Sequence, residues 1–154
     1  IVTRSSNNFG PYQYPEKLIP LFITNLVDGK KVPLMHSKEN PGLNVRDWLH
    51  VDDNCAAIYH LVKHGVPGQA YNIGGGNERT NMTITKALLA DFKVGDEMIQ
   101  FVEHRKGHDF KYSIDSGKLV STGFKAQHKN FEKALQDTVA WYRANENWWR
   151  PLKK

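Results

Sequence analysis

Cysteine is nearly absent. Cys55 is the single one in 154 residues, so no internal disulfide can form and a disulfide-stapled scaffold is excluded. Flanked by Ala56, Ala57 and Ile58, it reads as a small buried hydrophobe rather than a nucleophile. Long apolar runs are also missing. The stretches span only a few residues, as at Leu21-Phe22-Ile23, far short of the roughly 20 needed to cross a bilayer. No membrane partner is expected, and with no charged-then-apolar leader the expected location is cytoplasmic. Internal repeats and low-complexity linkers are lacking too. What is present is 40% hydrophobic, 11% aromatic and 24% charged residues, a composition with enough apolar material for one domain's core and unlike that of disordered or collagenous chains.

The net charge of +5 raises the question of a nucleic-acid partner, and its distribution answers it. Residues 1–50 carry six Lys+Arg against four acids, residues 51–100 four against six, and residues 101–154 eleven against six. In the last third the surplus is spread over Lys118, Lys125, Lys129, Lys133 and Lys153-Lys154, at the spacings of solvated helix faces. No basic run interleaved with aromatics and no zinc-finger, homeodomain or RNP pattern occurs. No nucleic acid is expected as partner.

Along the chain, strand and helix signals alternate, which gives an α/β or α+β class. Ile1-Val2-Thr3-Arg4 is a strand-like opening without an initiator methionine, and reads as a chain cut in the middle. A polar loop over 5–14 follows, then a helix whose apolar face is Leu18, Ile19, Leu21, Phe22, Ile23 and Leu26, with Pro20 in its first turn and Asp28-Gly29 as its stop. Strands are expected at 32–35 and 45–50, joined as a hairpin across the polar segment 37–42. A helix is expected over 53–64, capped at Asp52 and ended by Gly65, with Ala56, Ala57, Tyr59, Leu61 and Val62 as its apolar residues. Then come a strand at 70–73, a helix near 83–92, a strand at 99–102, a polar turn at 104–109, a strand near 112–114, and final helices at 116–122 and 131–145.

Three polar loops hold more ligand-type residues than connections require: Ser6-Asn7-Asn8-Phe9-Gly10-Pro11-Tyr12 running on to Lys17, Asn44 to Asp53 around Arg46, and His104-Arg105-Lys106-Gly107-His108-Asp109. Arg46, Arg105, Lys106, His108 and Lys17 are the groups suited to a diphosphate, since a guanidinium fork meets two oxygens at once and lysine adds a point charge. Taken singly, each is an ordinary surface salt-bridge partner. Gly74-Gly75-Gly76 after a strand fits neither phosphate-loop pattern and is assigned a tight turn with no cofactor role. Tyr59-x-x-x-Lys63 matches a catalytic pattern of short-chain dehydrogenases but is common by chance at this composition. The pairs His60/His64 and His104/His108 lack the glutamate of a zinc-helix motif, so no metal is expected. No nucleophile elbow is present.

In order and spacing, six blocks resemble the C-terminal half of the dTDP-glucose 4,6-dehydratase family of extended short-chain dehydrogenases/reductases. They are Ser6 to Tyr12, Pro15 to Pro20, Val45-Arg46-Asp47-Trp48-Leu49, Tyr71 to Gly75, Asn77-Glu78 with Asn81, and Arg105 to Asp109 with Tyr112 and Asp115. The resemblance implies the last strands and helix of a Rossmann-type sheet plus a small α+β substrate-binding domain. Residues 1–154 would be the substrate-binding portion, with the N-terminal NAD-binding part absent from the chain. By the same resemblance Asn7 contacts the sugar diphosphate, Asn8 lies near the nicotinamide end of NAD, and Lys17 and Leu18 begin the nucleotide-binding stretch. Pro33, Leu34 and Met35 line the thymine pocket, Met35 standing where the family has tyrosine. Arg46 meets the diphosphate, Asn81 hydrogen-bonds the nucleotide, and His104, Arg105, Lys106, Gly107 and His108 close over it, Lys106 replacing the family's proline.

The implied partner is a dTDP-sugar and the implied state of the whole protein a homodimer. The family's reaction, in which NAD takes hydride from sugar C4, water leaves across C5 and C6, and hydride returns to C6, depends on catalytic groups that match nothing in this chain. Another sugar-nucleotide epimerase, dehydratase or decarboxylase of the same superfamily, or a non-catalytic nucleotide-sugar binding module, are the alternatives. Without the remaining sheet, the 53–64 helix is expected to leave apolar residues uncovered, making the piece marginally stable or prone to associate.

Overall fold

Three small sheets, each assembled from sequence-distant strands, organise the chain. The computed structural model describes residues 1–37, 40–103 and 110–153, with 36, 37, 40 and 41 given by their backbone alone. Strand β1 (Val2–Ser5) pairs in parallel with β6 (Ala70–Ile73), Val2 opposite Ala70. A second sheet is centred on β5 (Val45–His50), which takes β2 (Asn7–Phe9) in parallel on one side. On its other side is β7 (Glu78–Thr80), antiparallel, and β9 (Lys111–Tyr112) pairs in parallel with Val45 and Arg46 on the edge opposite β7. The third places β3 (Val32–Ser37) between the antiparallel β4 (Asn40–Pro41) and the parallel β8 (Ile99–Glu103).

The expected hairpin between 32–35 and 45–50 does not form. β3 and β5 lie in different sheets, and β3 pairs instead with β8, a parallel partner reached only after a long crossover containing α3 (Asn81–Asp91). Strands β2 and β7, three residues each in polar sequence, also lie in stretches read as loop or turn.

The helices follow their sequence signals closely. Helix α1 (Leu18–Val27) buries Ile19, Phe22, Ile23 and Leu26, and Gly29 at φ +67° ends it in the left-handed conformation that glycine adopts without strain. Helix α5 (Phe131–Ala144) buries Phe131, Ala134, Leu135, Thr138, Val139 and Tyr142, a stripe at helical spacing, and the Asn130 side chain accepts the Lys133 N–H at its start. Together with α3 these helices enclose the main core, closed at the end of the chain by α6 (Glu146–Trp149), whose Trp149 is fully buried. A second, smaller core holds Leu49, Ala57, Leu61, Tyr71, Ile73 and Leu119 between β1–β6, α2 (Val51–His64) and α4 (Gly117–Val120).

Helix α2 departs from expectation at its start. It begins at Val51, capped by His50 rather than Asp52, with the imidazole Nδ1 accepting the Asp52 N–H at 3.3 Å. Its buried residues are Asp53, Ala57 and Leu61, leaving Ile58, Tyr59 and Val62 exposed, Val62 to 74%. Cys55 falls on the outer side and is exposed, not buried, because the inward stripe repeats every four residues from Asp53. No helix among the described residues is long and apolar enough to cross a membrane.

Candidate functional site

A strand shows alternate residues to its two sides. Through β5 and the residue before it, Asn44, Arg46 and Trp48 face a cleft of about 670 Å³, while Asp47 turns away and is buried. Asn7, opposite Trp48 in the β2–β5 register, continues this wall. The facing wall is built from Lys17 and the first turns of α1, from Pro33 and Met35 on β3, and from Val102 and Glu103 on β8. Asn81, the first residue of α3, completes it, its N–H donating to the Asn44 carbonyl at 3.0 Å.

The cleft has a mixed lining, with Leu18, Leu21, Phe22, Pro33, Met35 and Val102 as its apolar residues and Asn7, Lys17, Asn44, Arg46 and Asn81 among its polar ones. Arg46 is steadied by its Nη1 donating to the Val45 carbonyl at 2.7 Å, and Lys17 pairs with Glu16 at 2.8 Å. Glu16 and Glu103 also line the cleft, so an anion bound there exchanges places with carboxylates around the cations. Such a space, lined by apolar side chains together with cationic and amide groups, suits an amphiphilic anion of nucleotide size.

Behind this wall the glycine triplet has a structural task. The buried Asp47 carboxylate accepts the N–H groups of Gly75 and Asn77, both at 2.9 Å, and the Gly74 N–H donates to Ser116 Oγ at 2.6 Å. A Cβ on Gly75 would sit 1.9 Å from the Trp48 carbonyl oxygen. The turn therefore presses its bare backbone against β5 and fixes the strand that carries Arg46 and Trp48.

Of the residues named from sequence, the structure brings Asn7, Lys17, Leu18, Pro33, Met35, Arg46 and Asn81 into this one cleft. Leu34 is a correction. It has the opposite parity on β3 and is fully buried in the main core, so its side chain is not a pocket wall. Asn8 likewise alternates with Asn7 and lies outside the cleft lining; its amide donates to the Ser6 carbonyl, and Gln13 donates to its own carbonyl. His104, Arg105, Lys106, Gly107 and His108 lie outside the described residues. Asn44, Trp48, Phe22 and Glu103 were missed, although the alternation 44, 46, 48 around Arg46 marks two of them.

Other motifs resolve differently. His60 bonds through Nε2 to Thr122 Oγ1 at 2.9 Å, and Lys63 lies over the exposed Tyr59 ring, 4.3 Å from its centre. His50, Asp52 and His128 bring potential metal-ligand atoms within 4.8 Å of one another. The two imidazoles are stacked, 3.9 Å apart and 22° from parallel, so their in-plane lone pairs run side by side, and His50 Nδ1 is already committed to capping α2. Burial first, and then the neighbouring His128, hold His50 below its ordinary pKa.

The NAD dependent epimerase/dehydratase family model matches residues 1–74. The dTDP-glucose 4,6-dehydratase of Streptomyces antibioticus is 48% identical over 153 residues, covering 99% of this chain and 44% of that one. Among solved structures, the dTDP-glucose 4,6-dehydratase of Bacillus anthracis in complex with NAD superposes with a TM-score of 0.90 at 48% identity, over 99% of this chain and 47% of that one. The Streptomyces venezuelae enzyme, solved with NAD and a further ligand, gives 0.91 at 47% identity, over 98% and 46%. The chain thus spans less than half the length of the relatives it matches. Its fold is of the extended short-chain dehydrogenase/reductase type, and over nearly its whole length it is similar to the C-terminal part of the dTDP-glucose 4,6-dehydratases.

Proposed function

We propose that this chain is the substrate-holding portion of a dTDP-glucose 4,6-dehydratase, and that its cleft binds the nucleoside diphosphate of a dTDP-sugar. The observation that carries the reading is the convergence of Asn7, Lys17, Arg46 and Asn81, drawn from four separate segments, on one cleft that apolar side chains also line. Arg46 and Lys17 neutralise the diphosphate, Asn7 and Asn81 offer amide hydrogen bonds, and the base lies along Leu18, Pro33 and Met35. By holding the nucleotide, these residues orient the sugar toward groups supplied by the rest of the longer protein.

NAD, when bound, supplies hydride acceptance and return at the sugar. Its binding belongs in this reading to the part of the protein outside the chain. Asn8 is the residue assigned to its nicotinamide end, and the buried Asn8 Oδ1, which has no donor among the described residues, fits an amide group there. The uncovered apolar side of α2 is read as the surface that the remaining sheet covers. A homodimeric state and a cytoplasmic location of the longer protein are part of the same proposal.

The test is turnover. Joined to the NAD-binding part of a relative such as the Streptomyces antibioticus enzyme, the chain is expected to convert dTDP-glucose to dTDP-4-dehydro-6-deoxyglucose. Release of a 4-epimerised sugar nucleotide instead would assign it to the epimerases of the superfamily. Nucleotide binding without any turnover in a correctly folded chimera would favour a non-catalytic module.

A further inference from the structure

The loop that leads from Asn7 to Lys17, two residues of the cleft, is held from behind by the end of the chain. Tyr142 on α5 is fully buried, and its hydroxyl donates to the Gln13 carbonyl at 2.5 Å. The Gln13 side-chain amide in turn donates to the Asn8 carbonyl at 2.9 Å, and Asn8 is the neighbour of Asn7 on β2. Next to Gln13, Tyr12 has φ +63°, a conformation in which Cβ crowds the backbone and which a tyrosine keeps only where its surroundings fix it. Those surroundings are Trp141 and Trp148, whose rings meet the Tyr12 ring edge-on with centroids 4.7 and 5.3 Å away. Burial raises the Tyr142 pKa, so its hydroxyl is a donor at neutral pH. A buried phenol needs an acceptor, and this one takes it from a loop that follows directly on a cleft strand.

We infer that Tyr142 is a positioning residue for ligand binding: through Gln13 it holds the Asn8 backbone and thereby sets where the Asn7 amide stands in the cleft. The inference rests on the nucleotide reading of the cleft and deepens it. Helices α5 and α6 contribute no side chain to the cleft lining among the described residues, yet they act on it through this loop. The strained Tyr12 backbone, clamped by two tryptophans, keeps the loop in one conformation before a ligand arrives, so that ordering it costs nothing at the moment of binding.

The experiment titrates the chain and its variants with dTDP. Tyr142→Phe keeps the buried ring and removes the donor, and is expected to bind about fivefold more weakly. Gln13→Ala, which keeps the carbonyl and removes the amide, is expected to reproduce that loss and to add little to it in combination. Asn7→Ala is expected to weaken binding by a clearly smaller factor in the Tyr142→Phe background than in the wild type, because the amide it removes is no longer in place. Leu135→Val, which shortens another buried residue of α5, is expected to lower the unfolding midpoint and leave dTDP affinity unchanged.

Unchanged affinity in either Tyr142→Phe or Gln13→Ala would overturn the inference and leave the nucleotide reading standing. So would losses of Asn7→Ala and Tyr142→Phe that multiply in full, since independent residues behave in that way. Equal weakening by Leu135→Val would make the effect one of general stability and overturn the positioning role. If Tyr142→Phe does not fold, Gln13→Ala takes its place in the cycle with Asn7→Ala, with the same two outcomes. A wild-type chain that does not bind dTDP at all would remove the nucleotide reading and this inference with it.

Discussion

His50 shows how much one side chain can be asked to do at the edge of a site. Its ring is buried, caps α2 through Nδ1, stacks on His128, and stands opposite Phe9 on the strand that carries Asn7. Burial chiefly, then His128, lower its pKa below 6.5, against the opposing pull of Asp52, Asp53 and Asp137. Because the unfolded chain then takes up this proton first, the stabilisation is complete above about pH 6.5 and is lost as pH falls toward the folded value. Urea midpoints are therefore expected to drop between pH 7.5 and pH 5. His50→Asn, which keeps a capping acceptor but cannot titrate, is expected to flatten that dependence; an equally steep profile in the variant would place the titration elsewhere. At this scale the sequence spoke through residue identity. Arg46, Lys17, Asn7 and Asn81 could be picked out because their chemistry and order are distinctive. Leu34 was misassigned because a motif names consecutive positions, whereas a strand sends them to opposite sides. Trp48 is at once core and lining: its ring packs inside while the residue borders the cleft.

Among the elements, the turn at Gly74-Gly75-Gly76 ties β5 to β7. Gly75→Ala places a methyl 1.9 Å from the Trp48 carbonyl, and with backbone on both sides nothing cheap can move. Gly76 has φ +64° and open space around it, so alanine there meets only the left-handed penalty of about 1 kcal/mol. Denaturant titration is expected to show Gly75→Ala losing at least about 3 kcal/mol and Gly76→Ala far less; similar losses would mean that the backbone does not approach so closely. Trp149→Ala, which empties the fully buried end of the main core and removes the bond to the Tyr142 carbonyl, is expected to cost about 3–5 kcal/mol by the same measurement. Amphipathic helices such as α1 and α5 were legible because their period is local. The partner of β3 was not, because a parallel strand beyond a helix leaves no mark in the intervening residues. Strands β2 and β7 were invisible for another reason: three residues, mostly polar, are too few to show an alternation.

For the molecule as a whole, the decisive feature is the contrast between its two cores. The main one is closed by α1, α3, α5 and Trp149, whereas the smaller one is capped by α2 with Ile58, Tyr59 and Val62 turned outward and Ile1, Val2 and Val66 exposed beside it. The chain by itself is expected to associate through this side, and Val62→Glu is expected to shift sedimentation toward monomer without altering dTDP binding. Concentration-independent sedimentation of the wild type would contradict that expectation.

The claim on which all of this turns is that residues from distant segments form a single diphosphate site, and calorimetric titration of the chain with dTDP at fixed ionic strength addresses it most directly. The account predicts saturable binding of one nucleotide per chain, weakened by at least about tenfold in Arg46→Ala, and no comparable binding of a DNA oligonucleotide. Binding of dTDP with the same affinity by wild type and Arg46→Ala would contradict it.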